Sequence, residues 1–325
     1  MLNSGLLAAL GRVGAALGGG EPVVVSDRSG GVVVRAGEVV LKAHPAGADP
    51  AALLARLRLA ADPALAAVMV PPLRIPDGLA AADLDGWAAC ADGRLVTAWP
   101  AGEPVPAHDP DAAPWEDAAV LLARLHAVPI GDRDLPAAGG AARLVGAMAR
   151  LREFASGAEV ADVERAYAVL PPWVSDRALA PTRHDALIHG DWHFGQLIRR
   201  AAGVEAWRLV DVDDLGVGDP VWDLARPAAL FAAGLLDPDA WHRFLTAYQR
   251  AGGPALPPGA DPWTVLDVPA RALVVQLAAT GLAVTAGPAT GTGLGAERDD
   301  DEDVAALVAS CRRMVDGMVG DTDVS

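Results

Sequence analysis

His189-Gly190-Asp191-Trp192-His193-Phe194-Gly195-Gln196 is followed closely by Val210-Asp211-Val212-Asp213-Asp214 and by Gly218-Asp219-Pro220-Val221-Trp222-Asp223. These stretches pack a carboxylate, an amide and a second carboxylate into neighbouring turns. Phosphoryl transfer asks little covalent chemistry of a protein. It needs one group to orient the attacking hydroxyl and oxygen ligands to hold Mg²⁺ against the phosphates. A loop at Asp191 and a strand end at Asp211 supply both. A lone aspartate in a loop is most often a turn residue, so the pattern needs support from elsewhere in the chain.

That support lies upstream. Lys42 is the single lysine among 26 basic residues. It closes a run that reads as three short strands, Glu21 to Ser26, Val32 to Arg35 and Val39 to Lys42. They are joined by turns at Asp27-Arg28-Ser29-Gly30-Gly31 and Ala36-Gly37-Glu38. A glycine-containing hairpin lets backbone amides approach phosphates, and a lysine on the third strand reaches the same phosphates as a point charge. The first turn is short and offers two glycines, so its phosphate role is inferred from context. No G-x-x-x-x-G-K-[ST] stretch occurs, which excludes a P-loop.

Beyond Lys42, Pro50 to Ala61 has the spacing of a helix, with Leu53, Leu54 and Leu57 on one face and no glutamate to partner the lysine. Asp49 precedes it. A strand pair follows at Gly86 to Cys90 and Arg94 to Trp99, joined through Ala91-Asp92-Gly93. Pro100-Ala101-Gly102-Glu103-Pro104 then breaks the pattern, and helical spacing takes over at Ala118, Leu121, Leu122, Leu125 and at Leu144, Ala147, Met148, Leu151. Further helices are expected near Val221 to Leu235, Asp239 to Ala251, Trp263 to Ala286 and Glu302 to Met318. The reading is an α+β chain: a small antiparallel-sheet lobe over 1–99, a hinge over 100–104 and a large helical lobe over 105–325. Gly287 to Gly295 reads as a flexible loop, and Arg298 to Asp303 as a solvated charge run suited to a helix N-terminus.

Composition bounds the alternatives. A formal charge of −16 argues against a nucleic-acid partner, which calls for a basic patch. Two cysteines, Cys90 and Cys311, cannot build a disulfide framework, and the N-terminus lacks the pattern of a secretion signal, so a cytoplasmic location is expected. The longest apolar stretch, Val268 to Pro288, contains Arg271 and Gln276 and reads as a buried bundle helix, with no membrane role. His184, His189 and His193 with Asp191 also form an H-x-D-x-H pattern that can present zinc ligands. That reading leaves Lys42 and the Asp211 stretch unexplained.

Taken together, these motifs resemble the aminoglycoside phosphotransferase and choline kinase group, small-molecule kinases with a two-lobed, protein-kinase-like fold. The resemblance spans nearly the whole chain. His189-Gly190-Asp191 matches the family's H-G-D-x-x-x-x-N loop, and Val210-Asp211, Gly218-Asp219-Pro220 and Asp223-Leu224-Ala225 match the motif that follows it. The resemblance implies ATP and Mg²⁺ as cofactors and a small-molecule hydroxyl as acceptor, on a monomer or homodimer. It implies that Asp191 is catalytic and that Asp211 and Gln196 hold the metal. Lys42 would contact the α/β-phosphates, with Ser29, Gly30 and Gly31 beside them, and Thr97, Ala98 and Trp99 would border the adenine. His189 and Asp223 would brace the loop.

Asp213 and Asp214 read either as a wider metal site or as a solvated acidic turn, and His126 reads equally well as a family position or a core histidine. Gln196 stands where most members carry Asn. It offers the same carbonyl on a longer stem and is similar to maltokinase-like members, which keeps a sugar acceptor beside the expected aminoglycoside-like or other amine-bearing one. The missing helix glutamate and the Gln together motivate a third reading, a nucleotide-binding module without catalysis.

Overall fold

The computed structural model describes residues 2–28, 31–106, 113–175, 186–199, 206–287 and 297–322. The chain divides into two compact units. Unit 1 comprises Met1–Ala113, Gly131–Pro136 and His193–Leu215, and unit 2 comprises Pro114–Ile130, Ala137–Trp192 and Gly216–Ser325.

Unit 1 is built on a five-stranded antiparallel sheet of β1 (Pro22–Arg28), β2 (Gly31–Ala36), β3 (Val39–Ala43), β4 (Ala88–Ala91) and β5 (Arg94–Pro100), in the order β1-β2-β3-β5-β4. Alternation decides what each face does. In β2 and β3, Val32, Val34, Ala36, Val39, Leu41 and Ala43 are buried. Most of them join a core with Leu6, Leu10 and Val13 of helix α1 (Ser4–Ala16). The intervening residues, Val33, Arg35, Val40 and Lys42, line the opposite face, and the register sets Val33 against Lys42 and Arg35 against Val40. Lys42 is thereby held in a sheet whose neighbours fix its height.

Helix α1 was not expected from the sequence. Its N-terminus is capped by Asn3, whose side chain accepts from the Leu6 amide at 2.7 Å. Helix α2 (Pro50–Ala60) begins as expected, with Asp49 accepting from the amides of Ala51 and Ala52. Asp49 is thus a helix cap. A second, three-stranded sheet joins β6 (Glu103–Pro104), β8 (Leu197–Arg199) and β9 (Arg208–Leu209) in the order β6-β8-β9.

Unit 2 is helical around a two-stranded antiparallel ribbon of β7 (Ala186–Ile188) and β10 (Gly216–Gly218). Its helices are α3 (Trp115–His126), α4 (Ala142–Phe154), α5 (Ala158–Ala168), α6 (Val221–Ala233), α7 (Pro238–Arg250), α8 (Trp263–Ala286) and α9 (Glu297–Thr322). Leu144, Met148 and Leu151 of α4 pack with Ala225 and Ala229 of α6, Val275 and Ala279 of α8 and Val308 of α9. By length and composition alone α8 could cross a membrane, but 56% of its most apolar window is buried inside the protein. Residues 288–296, most of the expected flexible loop, lie outside the described residues.

Candidate active site

In unit 1 the two ends of the sequence pattern meet. Lys42 Nζ lies 2.7 and 2.6 Å from the carboxylate oxygens of Asp211 and 2.9 Å from Asp213 Oδ2. Asp213 is held in turn by His44, whose Nδ1 is 2.9 Å from Oδ1. His44 Nε2 sits 2.9 Å from Thr97 Oγ1, which also accepts from the Trp99 indole at 3.0 Å. Burial pulls the Lys42 pKa down, but attraction to Asp211 and Asp213 outweighs it and the net shift is upward. Burial likewise raises Asp213, and the bond from His44 with the charge of Lys42 reverses the sign, so its pKa ends below the ordinary value. The lysine is therefore charged and fixed between two carboxylates.

Asp211 adopts φ 71°, the left-handed region that Asp tolerates better than most residues. That turn brings Asp211 Oδ1 to 3.1 Å from the Asp213 amide. Gln196, at the end of a short 3-10 turn over Phe194–Gln196, directs Nε2 toward Asp211 Oδ2 at 3.3 Å. Lys42, His44, Gln196 and Asp211 line a cavity of 360 Å³ whose walls are largely apolar, with Val25, Val33, Val40, Trp99, Pro100 and Ile198 among them.

Of the expected nucleotide residues, Ser29 and Gly30 lie outside the described residues. Gly31 has φ +136°, and a Cβ there would stand 2.7 Å from the Ala43 carbonyl oxygen. The three hinge-side residues differ in what they present. Trp99 lines the cavity, Thr97 is wholly buried with its hydroxyl turned to His44, and the Ala98 carbonyl accepts from Leu73 N at 2.8 Å.

Unit 2 carries the other half of the pattern. Asp223, in the first turn of α6, is buried and accepts from the amides of His189 at 2.6 Å and Gly190 at 2.8 Å. Its Oδ2 also lies 3.0 Å from His126 Nε2, and His126 Nδ1 lies 2.8 Å from the Tyr248 hydroxyl. Burial alone would raise the Asp223 pKa; the bond and charge of His126 and the contribution of His189 hold it below the ordinary value. Gly190 has φ +83°, and its carbonyl accepts from Gly140 N at 3.1 Å. The loop is thus clamped immediately before Asp191, while Trp192 after it stacks on Phe244 with centroids 5.6 Å apart.

Asp191 itself meets two arginines. Arg143 Nη2 of α4 lies 2.8 Å from Oδ2, and Arg226 Nη2 of α6 lies 3.1 Å from Oδ1. Sequence reasoning missed both, and nothing in their local pattern singles them out. His44 did carry a signal. It stands two residues beyond Lys42, and strand alternation carries it to the same face. Among the described residues no group of three or more His, Cys, Asp or Glu side chains is arranged to hold a metal, and His184 lies outside them. His193, the other end of the H-x-D-x-H pattern, accepts from the Gly195 amide at 3.0 Å.

Comparison with known proteins places this arrangement. No curated protein sequence matches the chain. Among solved structures, a choline/ethanolamine kinase family protein from Mesorhizobium loti shares 18% identity over 94% of this chain and 98% of its own, with a TM-score of 0.54. Amicoumacin kinase hAmiN, solved with AMP-PNP, Ca²⁺ and Ami, is 11% identical over 90% and 88% of the two chains, with a TM-score of 0.61. Spectinomycin phosphotransferase APH(9)-Ia, solved with ADP and its antibiotic, is 12% identical over 91% and 93%, with a TM-score of 0.51. At such identities the likeness establishes the fold, which is protein-kinase-like. The sequence profile of the Phosphotransferase enzyme family matches residues 25–263, well over half of the chain. The chain belongs to the Phosphotransferase enzyme family.

Proposed function

We propose that this phosphotransferase moves the γ-phosphate of ATP to a hydroxyl group of a small molecule. The observation that carries the reading is Lys42, fixed by Asp211 and Asp213 in the lining of a largely apolar cavity of 360 Å³. A flat purine suits the apolar walls, and a buried cation suits the phosphates. Neighbours solved with AMP-PNP and ADP support the choice of nucleotide.

The donor set also fits Mg²⁺, a hard cation that takes few protein ligands and completes its shell with water and phosphate oxygens. The Asp211 carboxylate would hold it, and so would Gln196 after an amide flip that exchanges Nε2 for Oε1. When bound, the metal neutralises charge on the phosphates. Lys42 binds the α/β-phosphates, with the Gly31 turn beside them. Asp191 orients the acceptor hydroxyl and takes its proton as the new O–P bond forms, while the bridging P–O bond to ADP breaks. Asp223 and the His189 amide keep the loop that carries Asp191 in place.

Two acceptor classes follow from the sequence. Aminoglycoside-like or other amine-bearing acceptors gain support from the fold's antibiotic-kinase neighbours, and sugars gain support from Gln196. The arginines beside Asp191 favour the second, because a polycation placed there meets like charge. A cytoplasmic setting, where ATP is supplied, suits the reading, on a monomer or homodimer. Release of ADP across a panel of aminoglycosides, amino sugars, maltose, choline, a sugar acid and a sugar phosphate tests it. Turnover with at least one hydroxyl acceptor, lost in Asp191→Ala, is expected, and Asp191→Ala with normal turnover would overturn the assignment of Asp191. Mg²⁺-dependent ATP binding without turnover across a broad panel would instead favour a non-catalytic module.

A further inference from the structure

Asp191 is flanked on both of its oxygens by guanidinium groups from different helices, Arg143 of α4 and Arg226 of α6. In these two contacts, among the described residues, two positive charges face one negative charge, in a protein whose formal charge is −16. The small cleft beside Asp191 is lined, besides the two arginines, by Gly140, Gly190, Trp192, Trp222, Leu273 and Gln276, which add no carboxylate. The first turn of α4 has no acidic residue either, which leaves its positive helix end uncompensated. Arg226 is only about one fifth exposed, and burial weakens its hold on the proton, opposed by Asp191.

A brace for one carboxylate needs one arginine. A second, from another helix, completes a fork suited to planar oxyanions. The arrangement also bears on the proposed chemistry. A general base must offer an oxygen to the hydroxyl proton, and here both oxygens are engaged by guanidinium groups.

We propose that the acceptor carries an oxyanionic group, a carboxylate or a phosphate, near its reacting hydroxyl, and that Arg143 and Arg226 hold that group. On binding, the oxyanion takes over the two guanidinium groups and Asp191 turns to the hydroxyl. The substrate thereby switches on its own base, and neutral or cationic analogues leave Asp191 clamped. This inference rests on the assignment of Asp191 as the acceptor-side base.

The test uses the full chain and four three-carbon probes: glycerate, glycerol 3-phosphate, glycerol and 2-aminopropane-1,3-diol. Each is titrated at fixed ionic strength while the fluorescence of Trp192 and Trp222 is followed, with Trp192→Phe and Trp222→Phe as signal controls. At least one of the two oxyanions is expected to bind about tenfold or more tightly than both glycerol and the amine, the scale of a charge-assisted contact. The arms distinguish carboxylate from phosphate. Arg143→Gln should erase most of that preference and Arg143→Lys should keep part of it. Asp191→Asn should strengthen oxyanion binding, because the competing carboxylate is gone, which a merely structural arginine pair would not produce. Equal or absent oxyanion binding, or a preference indifferent to Arg143→Gln, overturns the inference. MgATP titrated in parallel separates the two readings. Intact nucleotide binding without oxyanion preference defeats this inference alone, and loss of nucleotide binding defeats the kinase reading as well.

Discussion

Replacing Asp223 with alanine removes an acceptor that serves three donors: the amides of His189 and Gly190 and the imidazole Nε2 of His126. Asp223 and His126 are both buried, so water does not readily replace the lost oxygens. A buried donor left without an acceptor costs about 1–3 kcal/mol. Removing one member of a buried, paired charge costs about 3–5 kcal/mol. With three donors left unserved the first figure becomes about 3–9 kcal/mol, so the two overlap around 4 kcal/mol, and unfolding midpoints of domains this size move by about 2–4 °C per kcal/mol. Thermal unfolding by circular dichroism should therefore fall by roughly 8–16 °C in Asp223→Ala. Asp223→Asn keeps one acceptor but turns an N–H on the second amide, and should recover less than half of the loss.

The pH dependence has a definite sign. The folded pKa of Asp223 is depressed, so its contribution is complete above the unfolded value of about 3.9 and is lost as pH falls through the lower folded value. The gap between wild type and Asp223→Ala should hold steady from neutral pH to about pH 5 and narrow below about pH 4. A variant melting within about 2 °C of wild type at neutral pH, or a gap that widens at pH 3, would show that Asp223 does not brace the loop as an ionised acceptor.

Three further outcomes are expected. Asp213→Asn frees Lys42 from its second carboxylate and should raise the KM for ATP several-fold with a smaller change in kcat, as steady-state kinetics would reveal. Gly31→Ala forces a Cβ to 2.7 Å from the Ala43 carbonyl at φ +136°, a strain of about 1–3 kcal/mol, and should weaken MgATP binding measured by calorimetry along with stability. Burial pushes the Cys311 thiol up to about 12, whereas Cys90 is exposed, so a thiol reagent at neutral pH should label one cysteine in the native protein and two in denaturant.

The sheet strands and most helices were legible because their patterns are local. Valine runs around Gly31 and Gly37 wrote β1 to β3 almost residue by residue, and leucine spacing wrote α3 and α4. Helix α1 was missed because its small residues blur an apolar stripe, and α5 because its apolar positions are few. Short strands such as β6, β9 and β10 take their form from partners distant in sequence, which no local pattern announces. The same limit governed the site. The motif around Asp191 and Asp211 was readable, and Lys42 stood out as the only lysine. The carboxylates that hold it were not. A helix glutamate was sought, whereas Asp213, steadied by His44, supplies the second contact from the same turn as Asp211. Arg143 and Arg226 were invisible for a plainer reason, since two arginines on amphipathic helices look like solvated positions until the fold turns them toward one aspartate.

We propose transfer to a hydroxyl with Asp191 as base. Its most direct measurement is ³¹P NMR of ATP, Mg²⁺ and an acceptor turned over by the wild-type chain, repeated with Asp191→Asn. A phosphate monoester should accumulate in step with ADP, and its rate should drop by about 10²–10⁴-fold in the variant while MgATP binding persists. ATP consumed only to inorganic phosphate, or a variant that forms the ester at the wild-type rate, would contradict the account.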